Sequence, residues 1–394
     1  MTSRAEGTSR AVGTSWAEAR RTAWRAAGRL PPGPVALDDA LGLVLAEPLW
    51  ALAPLPAFDS AAMDGWAVRG PGPWAVRGRT LAGDPPPPPL ADGAAREVAT
   101  GASVPEACEG VVPWEAGVLL GDELTAEPPA GRHVRRAGEE CAPRTAVLPA
   151  GTLLTPAALG LAAALGHDVL PVRPRPRVSA LVTGDELLSS GLPGAGRVRD
   201  AVGPLLGGTV AAAGGLLVAT RRVGDRREEL VAAVAAAPGD LVLTSGASSA
   251  GRADHLAGAL ADLGAQVLVD GVAVRPGAPQ TLARLPDGRL LAGLPGNPLA
   301  ALSALVTVVA PVLAALTGRP LPELGGARLT EGLAAARTGT RLVPVRVVGG
   351  LARPTGHGGA AMLRGAAVAD ALAVVDGDLA AGDRVPLVWL DQPR

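Results

Sequence analysis

Leu290-Leu291-Ala292-Gly293-Leu294-Pro295-Gly296-Asn297-Pro298 carries a short apolar run into a Pro-Gly-Asn-Pro turn, and a longer apolar run, Leu299 to Leu316, follows at once. The first run has strand length and the second helix length, so the stretch reads as a buried strand turning into an apolar helix. Asn297 is the only asparagine among 394 residues. The chain also lacks lysine, isoleucine and tyrosine and is rich in Ala, Gly, Pro and Arg, a bias expected of GC-rich coding DNA. In such a background a retained rare residue is informative.

Upstream of this turn the same alternation repeats. Strands are expected over Val178 to Thr183, Leu216 to Val223, Asp240 to Ser245 and Gln266 to Val274, and helices over Arg199 to Ala213, Arg226 to Ala236 and Asp254 to Leu263. Strands alternating with helices at this spacing predict a doubly wound α/β domain, assigned to residues 173–320. The run Leu299 to Leu316 approaches the length of a membrane span, but Ser303, Thr307 and Pro311 interrupt it and a strand and turn precede it, which favours a helix buried against the sheet. Residues 321–394, short and β-like with Gly-rich turns, predict a small C-terminal β-domain.

The N-terminal part reads differently. Residues 1–15 are polar, without the apolar core of a secretory signal, and read as a disordered leader. Helices are expected at Trp16 to Arg29, Ala36 to Ala46 and within Leu148 to Leu165, and a strand at Val169 to Val172, in the segments 16–55 and 137–172. Between them, residues 56–136 hold short alternating runs broken by Gly and Pro, a β-rich insert, with Pro85 to Pro89 as a stiff spacer. The fold class is therefore α/β multidomain.

Composition narrows the function. With 36 basic and 37 acidic residues the formal net charge is −1, so nothing global points to nucleic acid or a membrane surface. Cys108 and Cys141 make no disulfide framework or zinc spacing, which fits a reducing cytoplasm. His133, His167, His255 and His357 lack metal-ligand spacing.

In an open α/β sheet, ligands bind beyond the carboxyl ends of the strands. Four such ends carry polar or Gly-rich turns: Thr183-Gly184-Asp185-Glu186, Thr244 through Gly251, Arg275-Pro276-Gly277-Ala278-Pro279, and Leu294 to Pro298. Small residues let backbone amides approach an anion, and a helix N-terminus adds positive potential, so a phosphate-bearing ligand fits. Each turn also has an ordinary structural reading. Asn297 before Pro298 is an N-cap pattern, Thr183 to Glu186 suits a capped turn, and Asp225 and Asp254 stand where helix caps stand. Several carboxylates beside a phosphate site would suit Mg²⁺.

Pro56-Ala57-Phe58-Asp59-Ser60-Ala61-Ala62-Met63-Asp64-Gly65-Trp66-Ala67 resembles the P-x-F-D-x-S-x-M-D-G-[YW]-A signature of the molybdopterin molybdenumtransferase family. The resemblance continues through Thr100 to Glu106, Glu115, Arg135 to Glu140, Thr183 to Leu187, Ser245 to Gly251 and Leu294 to Pro298. It implies a dimeric, four-domain enzyme of molybdenum cofactor biosynthesis, with segments 16–55 and 137–172 forming a discontinuous α/β linking domain and the α/β domain being of molybdopterin-binding type. Such an enzyme takes adenylylated molybdopterin and molybdate, inserts molybdenum with a divalent cation, Mg²⁺, and releases AMP. Its active site lies between the α/β domain of one subunit and the β-rich insert of the other. Catalytic roles carried to matching positions fall on Asp64, Thr100, Glu140, Glu186, Asp225 and Asp254, with Glu186, Asp225 and Asp254 also as metal ligands. Ligand-binding roles fall on Thr183, Gly184, Asp185, Ser245, Gly246, Ser249, Gly251, Arg275, Pro276, Gly277, Pro295, Gly296 and Asn297. The upstream molybdopterin adenylyltransferase is an expected partner.

The departures cluster around oxyanion recognition. The family's K-P-G-K-P stands here as Arg275-Pro276-Gly277-Ala278-Pro279, its second cation gone, and serines of the family pattern are replaced at Ala61, Ala300 and within Gly358-Gly359-Ala360-Ala361. Glu140 stands where aspartate is common, and the asparagine expected near Asp200 is missing, with Val202 in that neighbourhood. Alanine offers an oxyanion no side-chain donor. A catalytically weak paralogue that carries molybdopterin, or serves as a scaffold, is therefore the alternative to an active transferase. An adenylyltransferase of the same pathway is a third reading, which the 58–67 signature and the added β-domains disfavour.

Overall fold

The computed structural model describes residues 13–246 and 255–390, and these form two compact units, one of residues 34–172 and one comprising the remainder. In the larger unit, six strands lie in the order Leu216–Val223, Arg177–Thr183, Leu241–Ser245, Leu290–Leu294, Thr281–Arg284, Gln266–Asp270. The first four are parallel and the last two run antiparallel to their neighbours. Leu241–Ser245 and Leu290–Leu294 are buried along their whole length, as strands covered on both faces must be. Helices Gly203–Ala212 and Pro298–Leu316 pack on one face, and Arg227–Ala236 and Leu256–Asp262 on the other. This is the doubly wound architecture expected from the alternation.

Pro298–Leu316 is long and apolar enough to cross a membrane, yet 94% of its span is buried inside the protein. Its middle, Leu305–Val309, is π-helical, with Ala310 N–H bonding Leu305 O. Pro311 has no N–H to continue the ordinary ladder, which accounts for the slip one turn before it.

Trp16–Ala26 belongs to this unit rather than to the linking segment at 137–172. Trp16, Ala19 and Ala23 bury against the long helix, and Trp16 Nε1 donates to Thr307 Oγ1 at 2.9 Å. Ser15 caps the helix by accepting from Glu18 N–H, and Thr14–Ser15 pair with Val272 and Ala273, so the leader expected over 1–15 is structured at its end; residues 1–12 lie outside the described residues.

The run expected as one strand over Gln266 to Val274 is two. Gln266–Asp270 stays in the α/β sheet, while after Gly271 the strand Val272–Arg275 pairs with Thr340–Val348 of the terminal domain. There, Thr340–Val348, Leu351–Pro354, Gly325–Leu329, Arg384–Trp389 and Ala371–Val375 close on themselves as a five-stranded barrel around Leu329, Val345, Val375 and Leu387.

The smaller unit has a six-stranded sheet in the order Val118–Leu120, Glu123–Thr125, Trp74–Thr80, Ala94–Val98, Gly65–Val68, Gly110–Pro113. Trp66 and Val68 bury on one face and Ala67 on the other, the period of two a covered strand requires. A second cluster joins Leu45, Leu49, Leu154, Leu165 and Leu170 beneath the helix Pro156–Ala164. The helix expected over Ala36 to Ala46 is instead the end of a strand, a 3₁₀ turn and a second short strand, because the chain turns at Gly42.

Candidate active site

The α/β sheet changes winding direction between Arg177–Thr183 and Leu241–Ser245, which places Thr183 and Ser245 at a topological switch point. Both are buried, and Thr183 Oγ1 donates to Ser245 O at 2.6 Å across the two strand ends. Gly246 follows at φ +91°, where a Cβ would stand 2.6 Å from Thr183 O. Gly296 lies against Gly246, the Cβ position of one 3.3 Å from the Cα of the other, so the expected turns at 183, 245 and 295 do converge. A floor built of backbone and small residues leaves room for an anionic group to approach.

At the next strand end Asp225 Oδ2 accepts from Asp185 N–H at 3.1 Å, bringing the turn after Thr183 together with the expected cap residue Asp225. Asp185, Glu186, Asp225 and Glu229 offer this edge oxygen donors of the kind a hard cation takes. Among the described residues no three carboxylate, histidine or cysteine side chains are grouped to hold a metal. Asp254, Ser249 and Gly251 lie outside the described residues. Of the three expected metal ligands, Glu186 and Asp225 follow the carboxyl ends of the neighbouring strands Arg177–Thr183 and Leu216–Val223, and oxygen donors of this kind are what a hard cation takes.

Asn297 occupies the N-cap position of the long helix, but its side chain makes no capping bond. The Leu299 and Ala300 amides donate instead to Ala360 O, at 2.9 and 3.2 Å, and Pro298 has no N–H to offer. The free amides expected at this helix end are thus engaged by the terminal domain, and Asn297 is left exposed with its side chain unused as a cap.

On the other flank of the same helical turn, Arg275 to Ala278 line an open cleft of about 410 Å³ together with Arg337, Thr338, Gly358, Gly359 and Ala360. An adjoining hollow of about 440 Å³ adds Arg341. Gly277 sits at φ +104° with Ala300 O 2.8 Å from where its Cβ would be, so a side chain there is excluded twice over. Gln280, fully buried, fixes this turn by donating to Gly277 O at 2.7 Å. Strand pairing sets Arg275 beside Arg341. Among the described residues no acidic side chain lines either hollow. Sequence reasoning found Arg275 but neither Arg337 nor Arg341, since every one of the 36 basic residues is arginine and none stands out.

In the smaller unit, Asp64 Oδ1 accepts from Thr100 N–H at 2.6 Å and from Thr100 Oγ1 at 2.8 Å, joining two residues of the expected site. The Thr100 backbone N–H first, then its hydroxyl, hold the exposed Asp64 carboxyl below its ordinary pKa. Its second oxygen has no bond among the described residues and stays available. Asp59 accepts from Ala137 N–H and from Arg136 Nη1, both at 2.7 Å, and these bonds lower its pKa likewise, the backbone one most. Glu140 is held by its backbone N–H on Leu55 O at 2.9 Å, with its carboxylate exposed and not joined to the Asp64–Thr100 pair.

Comparison with known proteins divides the chain in three. Family models described as the MoeA N-terminal region (domain I and II), a probable molybdopterin binding domain, and the MoeA C-terminal region (domain IV) match residues 14–166, 179–315 and 326–390. Over 316 residues the chain is 37% identical to molybdopterin molybdenumtransferase 2 of Mycobacterium tuberculosis (strain CDC 1551 / Oshkosh), covering 74% of this chain and 76% of that protein. It is 29% identical over 331 residues to the molybdopterin molybdenumtransferase of Staphylococcus aureus (strain MSSA476), covering 80% and 79%. A crystal structure of molybdopterin biosynthesis MoeA protein from Pyrococcus horikosii superposes with a TM-score of 0.79 at 26% identity, covering 96% of this chain and 99% of that one. The switch-point floor, the β-rich insert and the terminal barrel in one chain define a multidomain protein of the molybdopterin-handling class. The chain belongs to the molybdopterin molybdenumtransferase family.

Proposed function

We propose that this protein is a transferase of molybdenum cofactor biosynthesis that inserts molybdenum from molybdate into adenylylated molybdopterin and releases AMP. The observation that carries this reading is the floor of Thr183, Ser245, Gly246 and Gly296 at the switch point, present in a chain that matches the family along nearly its whole length. The carrier or scaffold reading is not favoured, since the relatives named above are transferases over most of this chain.

In this reading the floor receives the pterin phosphate, the roles carried to Ser249 and Gly251 lie outside the described residues, and the cleft at Arg275, Pro276 and Gly277 receives molybdate. Insertion joins the metal to the two dithiolene sulfurs and releases one water; cleavage of the phosphoanhydride consumes one, and AMP leaves. Mg²⁺, when bound by Glu186, Asp225 and Asp254, supplies positive charge against the phosphoanhydride oxygens. Asp185 positions Asp225 through its backbone N–H. Asp64, held ionised by Thr100, and Glu140 act from the other subunit of a homodimer. The division into linking domain, insert, α/β domain and terminal domain, a cytoplasmic location and docking of the upstream adenylyltransferase belong to the same reading; the free Cys108 and Cys141 support the location.

The test is single-turnover AMP release from adenylylated molybdopterin with Mg²⁺, with and without molybdate. Release that depends on molybdate is the expected result. Tight binding of the adenylylated pterin without molybdate-dependent release would replace the transferase by a carrier.

A further inference from the structure

We infer that Arg337 replaces the cation missing at Ala278 and, with Arg275, determines the affinity of the cleft for a tetrahedral oxyanion; this rests on the reading that the cleft receives molybdate. In sequence the two positions are 59 residues apart and unrelated. The fold relates them because Val272–Arg275 leaves the α/β sheet at Gly271 and pairs in parallel with Thr340–Val348, which sets the segment just before Thr340 beside the start of Val272–Arg275, and the turn folds back to that same point, Ala278 O accepting from Val272 N–H at 2.9 Å. Ala278 and Arg337 therefore line the same hollow.

The charged side chains lining it among the described residues are Arg275 and Arg337, with Arg341 in the adjoining hollow. Arg275 and Arg341 are register partners on neighbouring strands, an arrangement of like charges that costs energy unless an anion stands by. Arg341 is partly committed, its Nη1 donating to Ala334 O at 2.9 Å. Arg275 and Arg337 are exposed and enter no ion pair among the described residues. Thr338 adds a hydroxyl to the lining, and Gly358, Gly359 and Ala360 fill little of the space opposite. A planar guanidinium binds an oxyanion with two parallel N–H groups, so an arginine reaching in from the barrel serves where a lysine from the turn is gone.

The experiment titrates molybdate, and separately inorganic phosphate, into the full-length wild type and the variants Arg275→Ala, Arg337→Ala, Arg337→Lys and Arg337→Ala/Ala278→Lys by calorimetry. Arg337→Ala is expected to weaken molybdate binding about tenfold, Arg337→Lys less, and the double variant to recover most of the loss. Arg337 is exposed, and an unchanged melting temperature shows that each variant is folded. Loss in Arg275→Ala with wild-type affinity in Arg337→Ala would overturn the role of Arg337 alone. A cleft that binds phosphate and leaves molybdate unbound would overturn the molybdate reading on which the inference rests, and a wild type that binds neither would overturn the oxyanion assignment as well.

Discussion

Asp64 and Asp59 show how a short signature turns into electrostatics. Both lie in one segment, both accept a backbone N–H from a distant part of the chain, and both are thereby held ionised. Their roles differ. Asp59 ties Arg136 and Ala137 to the signature loop, whereas Asp64 keeps an oxygen free. Replacing Asp64 with Ala is expected to reduce AMP release at least about a hundredfold, the scale of losing an electrostatic group in contact with the reacting atoms, while leaving the melting temperature within a few degrees. Full activity in that variant would remove Asp64 from the site. For Asp59 the expected signature is in pH. Its folded pKa lies below the unfolded value of about 3.9, so its contribution to stability is complete above that value and is lost as pH falls through the lower folded one. The melting-temperature gap between wild type and Asp59→Asn should therefore be constant from neutral pH to about 5 and close at lower pH; a gap that persists at the acid end would show that the bond to Ala137 outweighs the charge.

At the scale of elements, the long helix Pro298–Leu316 does most to organise the larger unit. Thr307, buried near its middle, accepts from Trp16 Nε1 and donates to Ser303 O at 2.6 Å, one hydroxyl tying the N-terminal helix to the π-helical segment. Thr307→Val should lower stability by roughly 1–3 kcal/mol, because the Trp16 N–H is left buried without an acceptor, and Thr307→Ser should restore most of it. Equal urea midpoints for all three proteins would show that Trp16 finds another partner. The alternation of strand and helix from 178 to 316 was readable because each buried strand is a compact apolar run with a turn at its end. Two features were not readable. From Val267 to Val274 the run is apolar on either side of Asp270-Gly271, and no local pattern tells which sheet its second half joins. That one hidden crossing conceals the arginine cleft, whose members come from a turn, a loop and a barrel strand. Asn297 misled in the other direction: its N-cap pattern is real in position, but Ala360 O takes the amides the side chain would have capped.

For the whole molecule, the decisive matter is that the residues assigned to one reaction fall in different compact units. Asp64, Thr100 and Glu140 lie in residues 34–172, and Thr183, Glu186 and Asp225 in the other unit. If the working site is assembled from the smaller unit of one subunit and the larger unit of its partner, a variant lacking Asp64 and a variant lacking Glu186 are each inactive in both sites of their own homodimer. Mixed, they form heterodimers in which one site receives both defects and the other receives none. Random exchange makes half the dimers mixed, so Asp64→Ala and Glu186→Ala together should recover roughly a quarter of wild-type AMP release, a number fixed by two-fold symmetry alone. The mixture must be co-expressed or refolded together, with separate tags to isolate the heterodimer. Isolated heterodimer at about half the wild-type rate would establish a shared site. Heterodimer as inactive as either parent would place Asp64 and Glu186 of the same chain in one site, and a protein that elutes as a monomer while releasing AMP would remove the partner from the reaction altogether.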